Sequence, residues 1–150
     1  RRVLGELPGV LETAVTNSDT QSVLSGDAAL VDRAAELANQ EGAVARRLPI
    51  GGAYHSPLML PAVAEFTRAV EAAVNQRASV PVISSTSLKA HREPEDLARS
   101  LARSLVLPVN WPAAVRVAAR CGASRLVEAG PGDTLGRLAR FLPELTVVDP

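Results

Sequence analysis

The chain has 150 residues, 47% hydrophobic and 21% charged, enough to bury a real core and to read as one soluble globular domain or part of a larger one. Sixteen basic and sixteen acidic residues cancel, which argues against nucleic acid or an anionic membrane as partner; no apolar run nears the roughly 18–20 residues of a membrane span and no signal peptide is apparent, so a cytoplasmic address is expected. A single cysteine, Cys121, and two histidines exclude an internal disulfide and offer no zinc cluster of the usual spacing.

From Leu11 to Ser25, short apolar runs flank the polar cluster Asn17-Ser18-Asp19-Thr20, predicting strands near 10–16 and 21–25 joined by a turn. Asp27 stands as N-cap before a helix in which Leu30, Val31, Ala34, Leu37 and Ala38 recur at helical spacing, with Gly42 as its stop. Val44 to Ile50 reads as a third strand, carrying Arg46 and Arg47 at its middle. Next comes Gly51-Gly52-Ala53-Tyr54-His55-Ser56-Pro57, in which Ser56 suits an N-cap and Pro57 the first helical position. The apolar stripe of Leu58, Ala62, Phe66, Ala69 and Ala73 predicts a long helix to about Asn75.

Val80 to Ser85 reads as a buried strand with Pro81 near its start. Helices are predicted over 93–105, begun at Pro94, and over 112–120, stopped by Gly122. A strand over 125–129 leads into the turn Gly130-Pro131-Gly132, followed by a short helix over 135–141 and a last strand over 145–148. Strands alternating with helices predict a parallel sheet with helices on its faces, preceded by a small α+β unit. The two parts, 1–50 and 51–150, meet near residue 50 with His55 at the seam.

His55 is the first candidate for chemistry, because an imidazole can take and return a proton near neutrality. It lies beyond a predicted strand end, and the helix after Pro57 would set a positive dipole end nearby that keeps the ring neutral. Most histidines are merely satisfied within the fold, so the residue alone does not make a site. A base needs a nucleophile, and no G-x-S-x-G elbow is present; Ser25 and Ser124 lack the second glycine, and Cys121 sits at a helix end with no positive group at a matching helix N-terminus to make it a thiolate. Gly130-Pro131-Gly132-Asp133-Thr134-Leu135-Gly136 approaches a dinucleotide fingerprint, but its last glycine comes one residue late and no acidic partner ends a second strand, which leaves a tight turn and a helix cap. The arginines at 92, 99, 103, 116, 120 and 125 read as solvated helix faces.

Taken in order, four landmarks resemble the C-terminal half of the malonyl-CoA:acyl carrier protein transacylases, the acyltransferase domains of fatty acid and polyketide synthases. Residues 17–26, NSDTQSVLSG, resemble the family's NSPxQxVISG with Asp19 in place of proline; 52–59, GAYHSPLM, resemble GAFHSPLM. Pro108-Val109-Asn110-Trp111 resembles PVxW, and Glu128-Ala129-Gly130-Pro131-Gly132 with Leu135 resembles ExGPGxxL. The resemblance implies an α/β fold: part of a ferredoxin-like α+β subdomain over 1–50, and over 51–150 the C-terminal part of an α/β-hydrolase-like parallel-sheet core.

It also implies acyl transfer from malonyl-CoA or a related extender acyl-CoA to the phosphopantetheine thiol of an acyl carrier protein, through a Ser-His dyad. His55 would be the base, the backbone carbonyl of Asn110 would orient its ring, and Tyr54 and Gly52 would line the substrate site. An aromatic at 54 resembles the malonyl type and a serine the methylmalonyl type. No cofactor is implied; the coenzyme A thioester is substrate and the phosphopantetheine belongs to the carrier. The serine elbow, the carboxylate-binding arginine and the oxyanion loop of the family lie in a half that would precede Arg1. On this reading the chain is an incomplete fragment, inactive alone, that needs the serine-bearing half as partner. The alternative is a non-catalytic half-fold that docks a carrier protein or serves as a scaffold.

Overall fold

A computed structural model describes residues 8–148. The seven strands are β1 (Leu11–Thr16), β2 (Ser22–Gly26), β3 (Val82–Ile83), β4 (Ala90–His91), β5 (Val109–Asn110), β6 (Arg125–Val127) and β7 (Thr146–Val148). The five α-helices are α1 (Ala28–Gln40), α2 (Leu60–Ala73), α3 (Pro94–Ser104), α4 (Trp111–Arg120) and α5 (Thr134–Ala139). Among the described residues the architecture is mixed α/β, with three small sheets ordered β2-β1-β5, β3-β4 and β6-β7.

β1 and β2 form an antiparallel hairpin, closed where the amides of Asn17 and Ser18 both donate to the Gln21 carbonyl. The register breaks between Thr13 and Val15, and beyond that break β1 pairs in parallel with β5, Val15 opposite Val109 and Thr16 opposite Asn110. This pairing carries the chain's first segment onto the later one. Asp27 precedes α1 as expected, but its side chain makes no cap hydrogen bond; its carboxylate accepts instead from the Val10 amide at 2.7 Å. The cap residue thus serves as a tie across the hairpin. Leu30 and Ala34 of α1 are buried, as is Ala14 of β1.

Three strand expectations are corrected. Val44 to Ile50 forms no ladder, no strand among the described residues pairs with it, and the Ile50 amide turns back to donate to Leu48 O at 2.8 Å. The strand at Val80–Ser85 shrinks to β3, antiparallel to β4, and Val80 and Val82 are exposed instead of buried. The parallel sheet is reduced to two separate parallel pairs, β1–β5 and β6–β7. β-branched, apolar composition favours a strand, whereas a ladder also needs a neighbour.

The helices follow the sequence more closely, since their hydrogen bonds are internal. α2 and α3 pack together, with Val70, Leu97, Ala98 and Ala102 buried. α4 and the C-terminal elements build a cluster of Val115, Leu142 and Leu145, covered by Trp111, Ala118, Ala119 and Leu126. Glu128 accepts from the amides of Leu135 and Gly136 at 3.1 and 2.8 Å, placing a carboxylate on the first turn of α5 where helix N–H groups lack partners. The Gly130-Pro131-Gly132 turn therefore delivers α5 to an anion the chain already carries. No helix among the described residues is long and apolar enough to cross a membrane.

Candidate active site

His55 sits in the loop between residues 44–50 and α2, at φ 60°, in the left-handed region that ordinary side chains avoid. Two carbonyls from the end of α3 hold it there. Its backbone N–H donates to Leu105 O at 2.7 Å, and its ring Nδ1 lies 3.1 Å from Leu107 O. These belong to the turn that ends α3, where helix carbonyls have no intrahelical donor, so the histidine and the helix terminus satisfy one another. Ser56 locks the turn from the other side: it is 0% exposed, and its hydroxyl donates to Ala53 O at 2.7 Å.

A carbonyl can only accept, so the contact to Leu107 puts the proton on Nδ1 and leaves the lone pair on Nε2. Nε2 has no hydrogen-bond partner among the described residues. The other histidine contrasts with it, since His91 Nε2 is 3.1 Å from Ser87 Oγ. His55 lines two cavities at once. A cleft of about 630 Å³ also includes Gly52, Tyr54 and Leu58, and a mostly apolar cavity of about 270 Å³ includes Ile83, Leu97, Leu101 and Val109. A ring with a fixed tautomer between two cavities is suited to move a proton at Nε2.

Ser56 and Pro57 occupy the expected N-cap and N1 places, but of a 3-10 turn over Pro57–Met59, and α2 proper starts at Leu60. The Ser56 hydroxyl points back to Ala53 instead of capping. The ring's hydrogen bond accordingly runs to the carboxyl end of α3, a negative dipole end, and not to the amino end of α2.

Asn110 requires a correction. The carbonyl on the ring belongs to Leu107, three residues earlier. Asn110 is committed elsewhere: its N–H donates to Ser85 O at 2.9 Å, and its side chain accepts from Ala113 N at 3.0 Å as the N-cap of α4. It anchors the strand and helix that follow the Leu107 turn. Sequence reasoning missed Leu105 and Leu107 because a backbone carbonyl leaves no signature in residue type; the only local hint is Pro108, which biases Leu107 away from helix.

Tyr54 and Gly52 line the same cleft as His55, and Tyr54 is 47% exposed. A Cβ at Gly52 would come within 2.7 Å of Tyr54 Cε2, whereas one at Gly51 would meet nothing within 4 Å. Gly52 is therefore the glycine whose missing side chain sets where the ring lies. Among the described residues no group of three or more His, Cys, Asp or Glu side chains could hold a metal.

The model of the acyl transferase domain family matches residues 4–139. The malonyl CoA-acyl carrier protein transacylase of Bacillus subtilis is 34% identical over 146 residues, an alignment covering 94% of this chain and 46% of that protein. The solved malonyl CoA-acyl carrier protein transacylase of Coxiella burnetii superposes with a TM-score of 0.84 at 32% identity, covering 95% of this chain and 46% of the other. A malonyl-transacylase solved in complex with its type II PKS acyl-carrier protein superposes with a TM-score of 0.85 at 27% identity, covering 95% and 47%. The chain thus spans about half the length of these relatives.

Proposed function

Since the chain belongs to the acyl transferase domain family, we propose that it supplies the general base for acyl transfer from malonyl-CoA, or a related extender acyl-CoA, to the phosphopantetheine thiol of an acyl carrier protein. The observation that carries this reading is the state of His55: Nδ1–H is engaged by Leu107 O and Nε2 is left with its lone pair between two cavities.

In the first step a serine hydroxyl attacks the thioester carbonyl while Nε2 takes its proton. The C–S bond breaks and the coenzyme A thiolate leaves with that proton, giving an acyl-serine. In the second step Nε2 takes the proton of the carrier thiol, the thiolate attacks the ester, and the serine recovers its proton. Leu107 O faces the ring at Nδ1 throughout, fixing its tautomer and the positive charge that it carries between transfers, the task of the carboxylate in serine triads. No serine hydroxyl among the described residues is hydrogen-bonded to Nε2, so the nucleophile in this reading comes from polypeptide outside this sequence. The 150 residues alone are then inactive. Tyr54, positioned by Gly52, forms the wall that favours a malonyl over a branched unit. The small unit and the core of this reading divide near residue 50.

The test is an acylation assay with malonyl-CoA and a holo carrier protein, using the chain mixed with a serine-bearing portion of a relative's domain. His55→Ala should lower the rate about 10²–10⁴-fold, the usual contribution of a positioned general base. An unchanged rate would remove His55 from the mechanism, and turnover by the 150 residues alone would overturn the external nucleophile.

A further inference from the structure

We propose that a cleft of about 370 Å³ between the β3–β4 turn and α3 is a binding site for a phosphate monoester. Its cations are Lys89, at the end of the turn, and Arg99 and Arg103 of α3; its hydroxyls are Thr86, Ser87 and Ser100. Asp96, Arg99, Ser100 and Arg103 fall at i, i+3, i+4 and i+7, which a helix gathers on one face. Spacing along the chain makes that face read as solvated, whereas the fold sets a closed turn against it. Ser84 Oγ accepts from the amides of Thr86 and Ser87 at 3.3 and 3.1 Å, and the amide of Leu88, at φ 56°, donates to Ser84 O at 2.9 Å. The turn is thus fixed without any bond from the Lys89 side chain.

The balance of charge identifies the ligand class. Among the described residues Asp96 is the one carboxylate lining the cleft, and Arg99 Nη1 already holds it at 2.8 Å. Neither Lys89 nor Arg103 has an ion-pair partner among the described residues, in a chain whose formal charge is zero. Two uncompensated cations match the roughly −1.5 to −2 charge that a phosphate monoester carries near pH 7, whereas a carboxylate would use only one of them. Donors approaching from a turn and from a helix face suit the oxygens of a tetrahedral anion, and an arginine fork engages two of them at once. Of the three hydroxyls, those of Thr86 and Ser87 are engaged by Ser84 Oγ and His91 Nε2 at 3.0 and 3.1 Å, whereas Ser100 Oγ is buried with no hydrogen-bond partner among the described residues. A helical serine ordinarily returns its hydroxyl to a carbonyl of the preceding turn, so this one awaits an acceptor. The cleft shares Thr86, His91 and Ser100 with the mostly apolar cavity that His55 lines, which gives a ligand held by its phosphate room to extend toward the base. Coenzyme A, with its ribose 3′-phosphate, is one source of the group, and free phosphate is the other.

The site is read by binding alone, so its failure and that of His55 as base are separable. The full 150 residues are titrated with sodium phosphate and followed by backbone-amide NMR. Signals of residues 86–91 and 99–103 should move, and sodium chloride at the same ionic strength should leave them in place. Lys89 and Arg103 are exposed and their side chains have no partner among the described residues, so Lys89→Gln and Arg103→Gln should keep the parent's circular dichroism. Each should weaken phosphate binding about tenfold, the worth of one charge-assisted bond, while Arg120→Gln on α4 should not. Asp96→Asn should tighten binding about threefold, a gain that loss of structure cannot produce. Displacement of phosphate by coenzyme A at least tenfold more tightly than by dephospho-coenzyme A assigns the site to the coenzyme's monoester; displacement no better than by dephospho-coenzyme A assigns it to free phosphate. Signals that stay in place, move equally with chloride, or respond alike in Lys89→Gln, Arg103→Gln and Arg120→Gln overturn the proposal, as does weaker binding by Asp96→Asn.

Discussion

His55 holds a backbone conformation of φ 60°, which costs a residue other than glycine on the order of 1–3 kcal/mol and persists only where the surroundings over-determine it. Leu105 O, Leu107 O and the buried Ser56 hydroxyl on Ala53 O are those surroundings. The imidazole is thus set by three backbone carbonyls and not by the side chains of Leu105 and Leu107. Tyr54 depends on the opposite kind of control, a missing side chain at Gly52. Removing the ring should widen the site beside the base. Tyr54→Ser is expected to shift the ratio of kcat/KM for malonyl-CoA over methylmalonyl-CoA toward the branched substrate by about tenfold, within the 1–3 kcal/mol that one hydrocarbon contact decides. Competition between the two thioesters in the complemented enzyme measures it, and an unaltered ratio would take Tyr54 out of the specificity wall.

At the scale of elements, α4 is capped by Asn110, and its start follows the turn that orients the ring. Asn110→Ala loses the N-cap contact to Ala113 and should lower stability by about 1 kcal/mol, whereas Asn110→Asp keeps an acceptor and should stay near the parent. Denaturant unfolding of both variants checks this, and an Ala variant as stable as the parent would deny the cap its role. Helices were legible in the sequence, since Pro94, Gly122 and the apolar stripes mark elements whose hydrogen bonds close within themselves, but their capping contacts were not: Asp27 and Ser56 make no side-chain cap bond, and Asn110, which does, was read only for its carbonyl. Strands were legible only as a tendency. Val44–Ile50 and Val80–Ser85 carry strand composition, yet the ladder that makes a strand depends on a neighbour that composition does not specify. The site divides along the same line. His55, Ser56 and Tyr54 were visible as residue types in a motif, while the ring's carbonyl was placed on Asn110 because residue type cannot distinguish one backbone acceptor from another.

The whole molecule exposes 10257 Å² of accessible surface, whereas a folded monomer of 15.7 kDa exposes about 7,300 Å². The excess is more than one partner's share of a standard interface, about 800 Å², and is of the order found in obligate assemblies. It is apolar in the right places: Phe141 is 83% exposed, Val127 and Ile50 are exposed, and a second groove of about 430 Å³ is lined by Val15, Ile83, Val109, Trp111, Leu126 and Leu135. Trp111, which lines this groove, keeps its Nε1 buried with no hydrogen-bond partner among the described residues. Apolar surface on this scale binds hydrophobic dyes and weakens the cooperative transition, because the terms that offset chain entropy are missing. The chain alone should therefore enhance the fluorescence of an anilinonaphthalene sulfonate dye strongly, and complementation with the remaining part of a relative's domain should remove most of that signal and raise Tm by at least about 10 °C, some 3–5 kcal/mol for a domain of this size. A dye-silent monomer with a sharp transition would mean that these surfaces are satisfied within the 150 residues, and the second groove would then need an occupant from the chain itself.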